Sequence, residues 1–150
     1  MVRIVFLIIL LIIQLYGLFC SIRNWVKPSV NIEAIKECNG DEAKAAGVML
    51  TIAMAILYAT TFIANAWIMP DKIMTMALLI LAAIEIVLVL PRLAKIGELY
   101  SGTVEEQVKK WQTSNKGYKH VLGFTGNLVE TGVICVALYL IFRYVLEVKI

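Results

Sequence analysis

The stretch IMTMALLILAAIEIVLVLPR, from Ile73 to Arg92, is apolar at almost every position before Pro91. A helix needs about 20 predominantly apolar residues to cross the hydrocarbon layer of a bilayer, so this stretch predicts a membrane span. The whole 150-residue chain is 61% hydrophobic, whereas soluble domains are about 45–50% apolar. The composition therefore predicts an integral membrane protein.

Three further segments have the length and composition of membrane spans. The four predicted spans cover residues 4–22, 45–69, 73–90 and 121–142. Pro70 and Asp71 predict a tight turn that makes spans two and three an antiparallel hairpin. Pro91 predicts the end of span three, because proline has no backbone N–H. The predicted fold is all-α, an integral membrane four-helix bundle that forms a single membrane domain over residues 1–150.

The basic residues predict the orientation of this bundle. The connections after spans one and three hold ten of the 14 Lys and Arg residues, and the opposite side holds Arg3, Lys72, Arg143 and Lys149. The positive-inside rule then puts both long connections in the cytoplasm and both termini outside. Because these charges flank apolar spans, we expect them to contact lipid headgroups, and we expect no nucleic-acid partner. The segment GLFCS lacks small residues at the cleavage positions of a signal peptide, so we expect span one to be retained.

The connection between spans three and four predicts a short amphipathic helix. Thr103 and Glu106 have the spacing of a capping box at its start, and we expect it to end near residues 115–117. The residues predicted to face a membrane surface or a partner are Val104, Val108, Lys109, Lys110 and Trp111. An apolar face beside basic residues is typical of a helix that rests on lipid headgroups. The alternative is a docking site for a cytoplasmic partner.

Polar side chains at similar depths in the four spans predict an intramembrane polar layer. With a rise of about 1.5 Å per residue, Glu85 lies about 10 Å from the loop end of its span and Glu130 about 14 Å. Gln14 lies about 13 Å and Asn127 about 9 Å from the loop ends of their spans, and Thr51 lies at a comparable depth. We therefore expect these five residues to share one layer, in the half of the bilayer nearer the long connections.

A charged group in this layer is costly, at roughly 2.5–3.5 kcal/mol on insertion scales. We therefore expect Glu85 and Glu130 to face the bundle interior and to be neutral and hydrogen-bonded, unless Arg92 reaches back along its helix to Glu85. The favoured interpretation is that the layer holds helices together through hydrogen bonds. The alternative is a protonation site or an ion path.

Small residues predict where the helices approach most closely. Span two repeats them every four residues, which lets another helix backbone come near. Span four places two glycines on the same face as Glu130. The predicted packing residues are Gly47, Ala55, Ala59, Gly123 and Gly126.

These features favour a non-enzymatic membrane subunit that assembles with itself or with a larger complex of membrane chains. The competing hypothesis is a proton- or ion-conducting protein that uses Glu85 and Glu130. A small membrane-embedded enzyme is the third hypothesis, and the sequence favours it least. His120 is the one histidine of the chain, and no nucleophile and base stand at a recognisable spacing. We therefore expect no catalytic residue, no metal and no cofactor.

Overall fold

The computed structural model describes residues 2–26, 40–114 and 118–146. Within these ranges the chain forms five α-helices: α1 (Val2–Val26), α2 (Gly40–Ala66), α3 (Lys72–Leu99), α4 (Val104–Ser114) and α5 (Tyr118–Leu140). A short π-helical segment, Ile141–Val145, continues α5. Four helical stretches are long and apolar enough to cross a membrane: Val2–Val26, Asp41–Ala66, Lys72–Leu99 and His120–Val145. The predicted all-α membrane bundle, with a short helix between spans three and four, is confirmed.

The four long helices form a closed ring in which α1 contacts α2, α2 contacts α3, α3 contacts α5 and α5 returns to α1. The pair α2 and α3 shares the largest interface, as the predicted hairpin requires. Asp71 caps the start of α3, because its carboxylate accepts a hydrogen bond from the Met74 backbone N–H at 2.9 Å. An N-cap of this kind satisfies one of the free donors at a helix start.

The two ends of the bundle differ. At the terminus end, Val2 lies close to Ile68 of the α2–α3 turn and to Val145. The long connections and α4 lie at the opposite end, which we call the loop end. The main apolar cluster draws on Ile4, Leu7, Leu10, Tyr58, Ala59, Phe62, Ala66, Leu78, Ala82, Ile134, Ala137, Leu138 and Ile141. These residues lie in the half of each span nearer the terminus end, so the tightest packing is there.

The predicted end of span three at Pro91 is wrong. Pro91 lies inside α3, which continues to Leu99. Proline does remove one helical hydrogen bond. Membrane helices nevertheless tolerate interior prolines, because neighbouring groups and small local adjustments satisfy the freed carbonyl, whereas ending the helix would leave several backbone groups to satisfy. The extension also places Ile96 against Gly47 of α2.

Two other predicted boundaries shift by a few residues. The helix of span two ends at Ala66 and not at Met69, because residues 67–69 turn with Ile68 N–H donating to the Asn65 carbonyl at 3.1 Å. Span one is helical from Val2 to Val26, beyond both predicted limits. The predicted end of α4 near residues 115–117 lies outside the described residues.

The start of α4 is a capping box, as the sequence predicts. The Thr103 backbone N–H donates to the Glu106 carboxylate at 3.1 Å, and the Glu106 backbone N–H donates to Thr103 Oγ1 at 3.3 Å. Gly102 precedes them with φ of 89°, a left-handed conformation that glycine adopts without strain. A Cβ at this position would also collide with the Glu106 carboxylate.

Replacement of Thr103 by alanine is expected to weaken this start by about 1 kcal/mol, the usual cost of losing an N-cap. The backbone amides of α4 should then exchange hydrogen about fivefold faster, measured by mass spectrometry in detergent micelles. Thr113→Ala is the matched control, because Thr113 Oγ1 donates to the Lys109 carbonyl at 3.0 Å near the other end of the helix. Equal acceleration in both variants would contradict a specific role for the cap.

Candidate functional site

The candidate site is a group of five side chains that we call the polar cluster: Gln14, Tyr58, Glu85, Arg92 and Glu130. They come from α1, α2, α3 and α5, so all four membrane spans contribute. Gln14, Tyr58, Glu85 and Glu130 are buried. Such burial inside an apolar bundle requires that each polar group find a partner.

One side-chain hydrogen bond contributes to the contact between the first and last spans. Gln14 Nε2, on α1, donates to Glu130 Oε2, on α5. The two residues lie 116 positions apart in the chain, so this contact depends on the tertiary arrangement. It joins two of the five residues predicted for the polar layer.

Glu85 forms an ion pair with Arg92, two helical turns further along α3. Arg92 Nη1 lies 2.5 Å from Glu85 Oε2, and Arg92 Nη2 lies 3.0 Å from Glu85 Oε1. The side chain of Glu85 is 7% exposed and that of Arg92 is 43% exposed. Arginine thus places its apolar stem along the helix and brings its charge back to the buried carboxylate.

The expectation that both carboxyl groups are neutral excepted Glu85 in the case that Arg92 reached it. Only Glu130 keeps an uncharged hydrogen-bond partner, Gln14. The condition stated for Glu85, that Arg92 reach back along the helix, is met. Within the ranges that the structure describes, Glu85–Arg92 is the only ion pair.

The members of the polar cluster also interact through space. Glu130 experiences the charges of both Glu85 and Arg92, and Tyr58 lies within range of all three. One guanidinium therefore faces two carboxyl groups. With both carboxylates ionised the cluster carries one net negative charge, and a single bound proton makes it neutral.

Thr51 and Asn127, the other residues predicted for the polar layer, are half-buried. Within the described part of the chain, neither side chain makes a hydrogen bond. The backbone carbonyl of Asn127 accepts one from Thr131 Oγ1 at 2.6 Å. The structure therefore brings Gln14 and Glu130 into contact and leaves Thr51 and Asn127 beside the cluster.

Sequence reasoning missed Tyr58. It occurs in span two, seven residues after Thr51, so the two lie on the same helix face. An aromatic residue in an apolar span is usually assigned to the apolar core. The hydroxyl group of Tyr58 was the one feature of the sequence that could have indicated a place in the polar cluster. Its ring packs edge-on against Phe62, with centroids 5.8 Å apart, while the side chain lies in the electrostatic range of both carboxyl groups.

The small residues of span two lie in the helix interface. Ala55 and Ala59 are buried. A Cβ added at Gly47 would lie 3.5 Å from Ile96 Cγ2, an ordinary van der Waals contact. These three positions allow α2 to lie close to its neighbours.

Among the described residues, nothing packs against the two glycines predicted for packing in span four. Gly123 and Gly126 are exposed, and a Cβ at either would have no neighbour within 4 Å. At this level α5 meets α1 through Trp25, whose ring lies 5.4 Å from that of His120. We call Gly123 and Gly126, which no described residue covers, the glycine strip.

The predicted contact residues of α4 divide into two groups. Val104 and Lys109 are exposed, whereas Val108 is half-buried. Trp111 packs edge-on against Tyr100 at the end of α3, with ring centroids 6.0 Å apart. Lys110 Nζ donates to the Ser101 carbonyl at 2.8 Å. Part of the amphipathic face therefore packs against the chain's own α3–α4 turn, a contact that helical spacing alone did not reveal.

No group of three His, Cys, Asp or Glu side chains in the described ranges is arranged to hold a metal ion. No protein-family model, curated protein or solved structure matches this chain. The function is therefore inferred from the polar cluster and from the surfaces of the bundle.

Proposed function

We propose that the protein is a non-enzymatic subunit of a membrane complex, and that its polar cluster helps to hold helices together. The observation that carries this proposal is that both buried carboxyl groups are engaged by side chains of the same chain. Glu85 is paired with Arg92, and Glu130 accepts a hydrogen bond from Gln14. The Gln14–Glu130 bond joins α1 to α5 and stabilises the contact between these two helices, whereas the Glu85–Arg92 pair lies within α3 and neutralises a buried charge.

The glycine strip supports the assembly part of the proposal. Gly123 lies two turns from Glu130 on α5, so it continues the face that carries the polar cluster towards the loop end. An uncovered pair of glycines lets the backbone of another helix approach closely. The partner would be a second copy of this chain or a different membrane protein.

The orientation is part of the same proposal. The excess of Lys and Arg in the long connections favours a cytoplasmic loop end. The exposed residues of α4, Val104 and Lys109, would then meet the cytoplasmic headgroups or a cytoplasmic partner. The termini and the α2–α3 turn would face the opposite side.

Assembly can be tested by purification from the native membrane in mild detergent, followed by size-exclusion chromatography with light scattering. We expect the native chain to elute as a complex. Gly126→Leu is expected to lower the association constant about tenfold, equivalent to about 1.4 kcal/mol, because leucine holds the partner helix away. The folded state of the single chain should be unaffected, since a Cβ added at Gly126 has no neighbour within 4 Å among the described residues.

Gly132→Leu is the matched control. Gly132 also lies on α5 and also has no neighbour within 4 Å of an added Cβ. It is nine residues from Gly123, which puts it on the opposite face of the helix. A native chain that elutes as a lone monomer, or equal weakening by Gly126→Leu and Gly132→Leu, would contradict the proposed assembly face.

Proton conduction is the second candidate function. One observation favours it: Glu130 is a buried carboxyl group whose hydrogen-bond partner, Gln14, carries no charge. Reconstituted vesicles with a pH-sensitive dye would measure the flux. Glu130→Gln retains a side chain that can bond to Gln14 but cannot release a proton. A flux in the native protein that disappears in this variant would favour conduction over the structural role, whereas we expect no flux in either.

A further inference from the structure

A groove runs between α1 and α2 at the terminus end of the bundle. It has a volume of about 270 Å³, and its walls include the apolar side chains of Phe6, Leu57 and Ala64. A second groove of about 400 Å³ lies on the other side of Ala64 and includes Ile63. Arg3 lines both grooves, so a single guanidinium lies where the two apolar grooves meet.

Among the described residues, Arg3 has unused capacity for hydrogen bonds and no counter-charge. Its Nη1 donates to the Ala64 carbonyl at 3.4 Å, near the upper limit for such a bond. No carboxylate among the described residues pairs with it. A guanidinium carries five N–H donors and binds phosphate in a forked geometry. The group therefore favours an anion.

Asn65 supplies a second polar group in the first groove. Its side chain is completely buried, and Nδ2 donates to the Thr61 carbonyl at 2.9 Å and to the Arg3 carbonyl at 3.2 Å. These two acceptors orient the amide. In the described part of the chain, Oδ1 accepts no hydrogen bond. A buried acceptor without a donor costs about 1–3 kcal/mol, so a ligand that offers an O–H or N–H would be favoured.

The position of the grooves indicates where the ligand comes from. Trp67 lines the second groove and is largely exposed. Tryptophan is enriched at the level of the lipid headgroups. Arg3 is in the first turn of α1, at the end of the span. The cationic group therefore lies at headgroup level, and the apolar grooves extend towards the hydrocarbon.

We propose that this double groove binds one anionic glycerophospholipid from the leaflet at the terminus end. The phosphate pairs with Arg3, the acyl chains lie in the two apolar grooves, and a headgroup hydroxyl donates to Asn65 Oδ1. A zwitterionic choline lipid offers the phosphate but no hydroxyl and no net charge. The site therefore distinguishes phosphatidylglycerol from phosphatidylcholine.

Quenching of Trp67 by brominated lipids measures this selection directly. The double variant Trp25→Phe, Trp111→Phe leaves Trp67 as the single tryptophan, since the chain has three. The protein is reconstituted in phosphatidylcholine with increasing fractions of dibrominated phosphatidylglycerol or of dibrominated phosphatidylcholine. We expect half-maximal quenching at about a fivefold lower fraction of the glycerol lipid, because one basic side chain near an anionic surface contributes a preference of this size.

Three variants of the single-tryptophan protein distinguish lipid binding at Arg3 from a general effect of positive surface charge. Arg3→Ala should abolish the selection, and Arg3→Lys should retain most of it because the charge remains. Lys72→Ala is the matched control, since Lys72 is an exposed cation at the same end of the bundle and does not line either groove. It should leave the selection unchanged. Circular dichroism of each variant reports whether the bundle is folded.

Equal quenching by the two brominated lipids in the parent protein would overturn the proposal. So would equal loss of selection in Arg3→Ala and Lys72→Ala, because the effect would then be that of surface charge. A second copy of the chain is the other candidate occupant. If Ala64→Phe converts a dimer to a monomer while lipid selection is absent, the grooves belong to a protein contact and the lipid proposal is wrong.

Discussion

Replacement of Arg92 by leucine is expected to destabilise the folded bundle by about 3 kcal/mol. The change leaves Glu85 buried without its counter-charge, and the carboxylate cannot reach water because its side chain is 7% exposed. The free energy of unfolding can be measured by titration of the purified protein from mild detergent into dodecyl sulfate, with circular dichroism as the signal. This is the largest single effect that we expect from the polar cluster.

The opposite change, Glu85→Leu, should cost only about 1 kcal/mol. It leaves the Arg92 side chain, which is 43% exposed and can extend to the headgroups. The double variant, with leucine at both positions, should come within about 1 kcal/mol of the native protein, because an apolar pair can replace a buried ion pair at little cost. A large loss in Arg92→Leu, a small loss in Glu85→Leu and a near-native double variant are together expected only if the two charges are paired.

Additive losses in the double variant would contradict the ion pair. Additivity is the behaviour of independent sites, whereas paired groups show a coupling energy. Equal losses in the two single variants would contradict the inference that Arg92 can reach the headgroups while Glu85 cannot.

Replacement of Glu130 by leucine is the second large effect that we expect. Gln14 on α1 would lose the acceptor of its hydrogen bond, at a cost of about 1–3 kcal/mol for a buried unpaired amide. Glu130→Gln should cost less than about 1 kcal/mol, because an amide oxygen can accept the same hydrogen bond. The same unfolding titration measures both variants.

Asn127→Leu is the control for an apolar substitution on the same helix face. Asn127 is half-buried, and its side chain makes no hydrogen bond among the described residues, so its replacement should change the free energy of unfolding by less than about 0.5 kcal/mol. If Glu130→Leu is as mild as Asn127→Leu, the bond between the first and last spans does not contribute to stability. If Glu130→Gln is as damaging as Glu130→Leu, the carboxylate itself is required.

Much of the fold could be predicted because the bilayer restricts what a chain can do. Four long apolar stretches have no alternative to four helices, since every backbone polar group inside the hydrocarbon must be satisfied internally. The turn at Asp71 and the capping box at Thr103 are local patterns, and each depends on residues within a few positions. Pro91 shows the limit of such local rules, because its effect on α3 depends on the cost of the alternative and not on proline alone.

The candidate site could be predicted only in part. Depth along each span follows from counting residues, and it placed Gln14, Glu85 and Glu130 in one layer before any contact was known. Counting gives depth but no direction around the helix, so it did not identify Tyr58 as a member of the polar cluster. Gly123 lies on a predicted packing face, yet no described residue covers it, because spacing along one segment does not fix the rotation of α5 in the bundle.

The sequence by itself determined the membrane class, the all-α fold and the depth of the costly residues, because apolar length and helix rise are properties of single segments. Only the tertiary structure decided the partners: Glu130 with Gln14 of the first span and Arg92 drawn back to Glu85. Partner choice depends on the rotation of each helix and on side-chain reach. Both result from the packing of all four spans at once, which no single segment encodes.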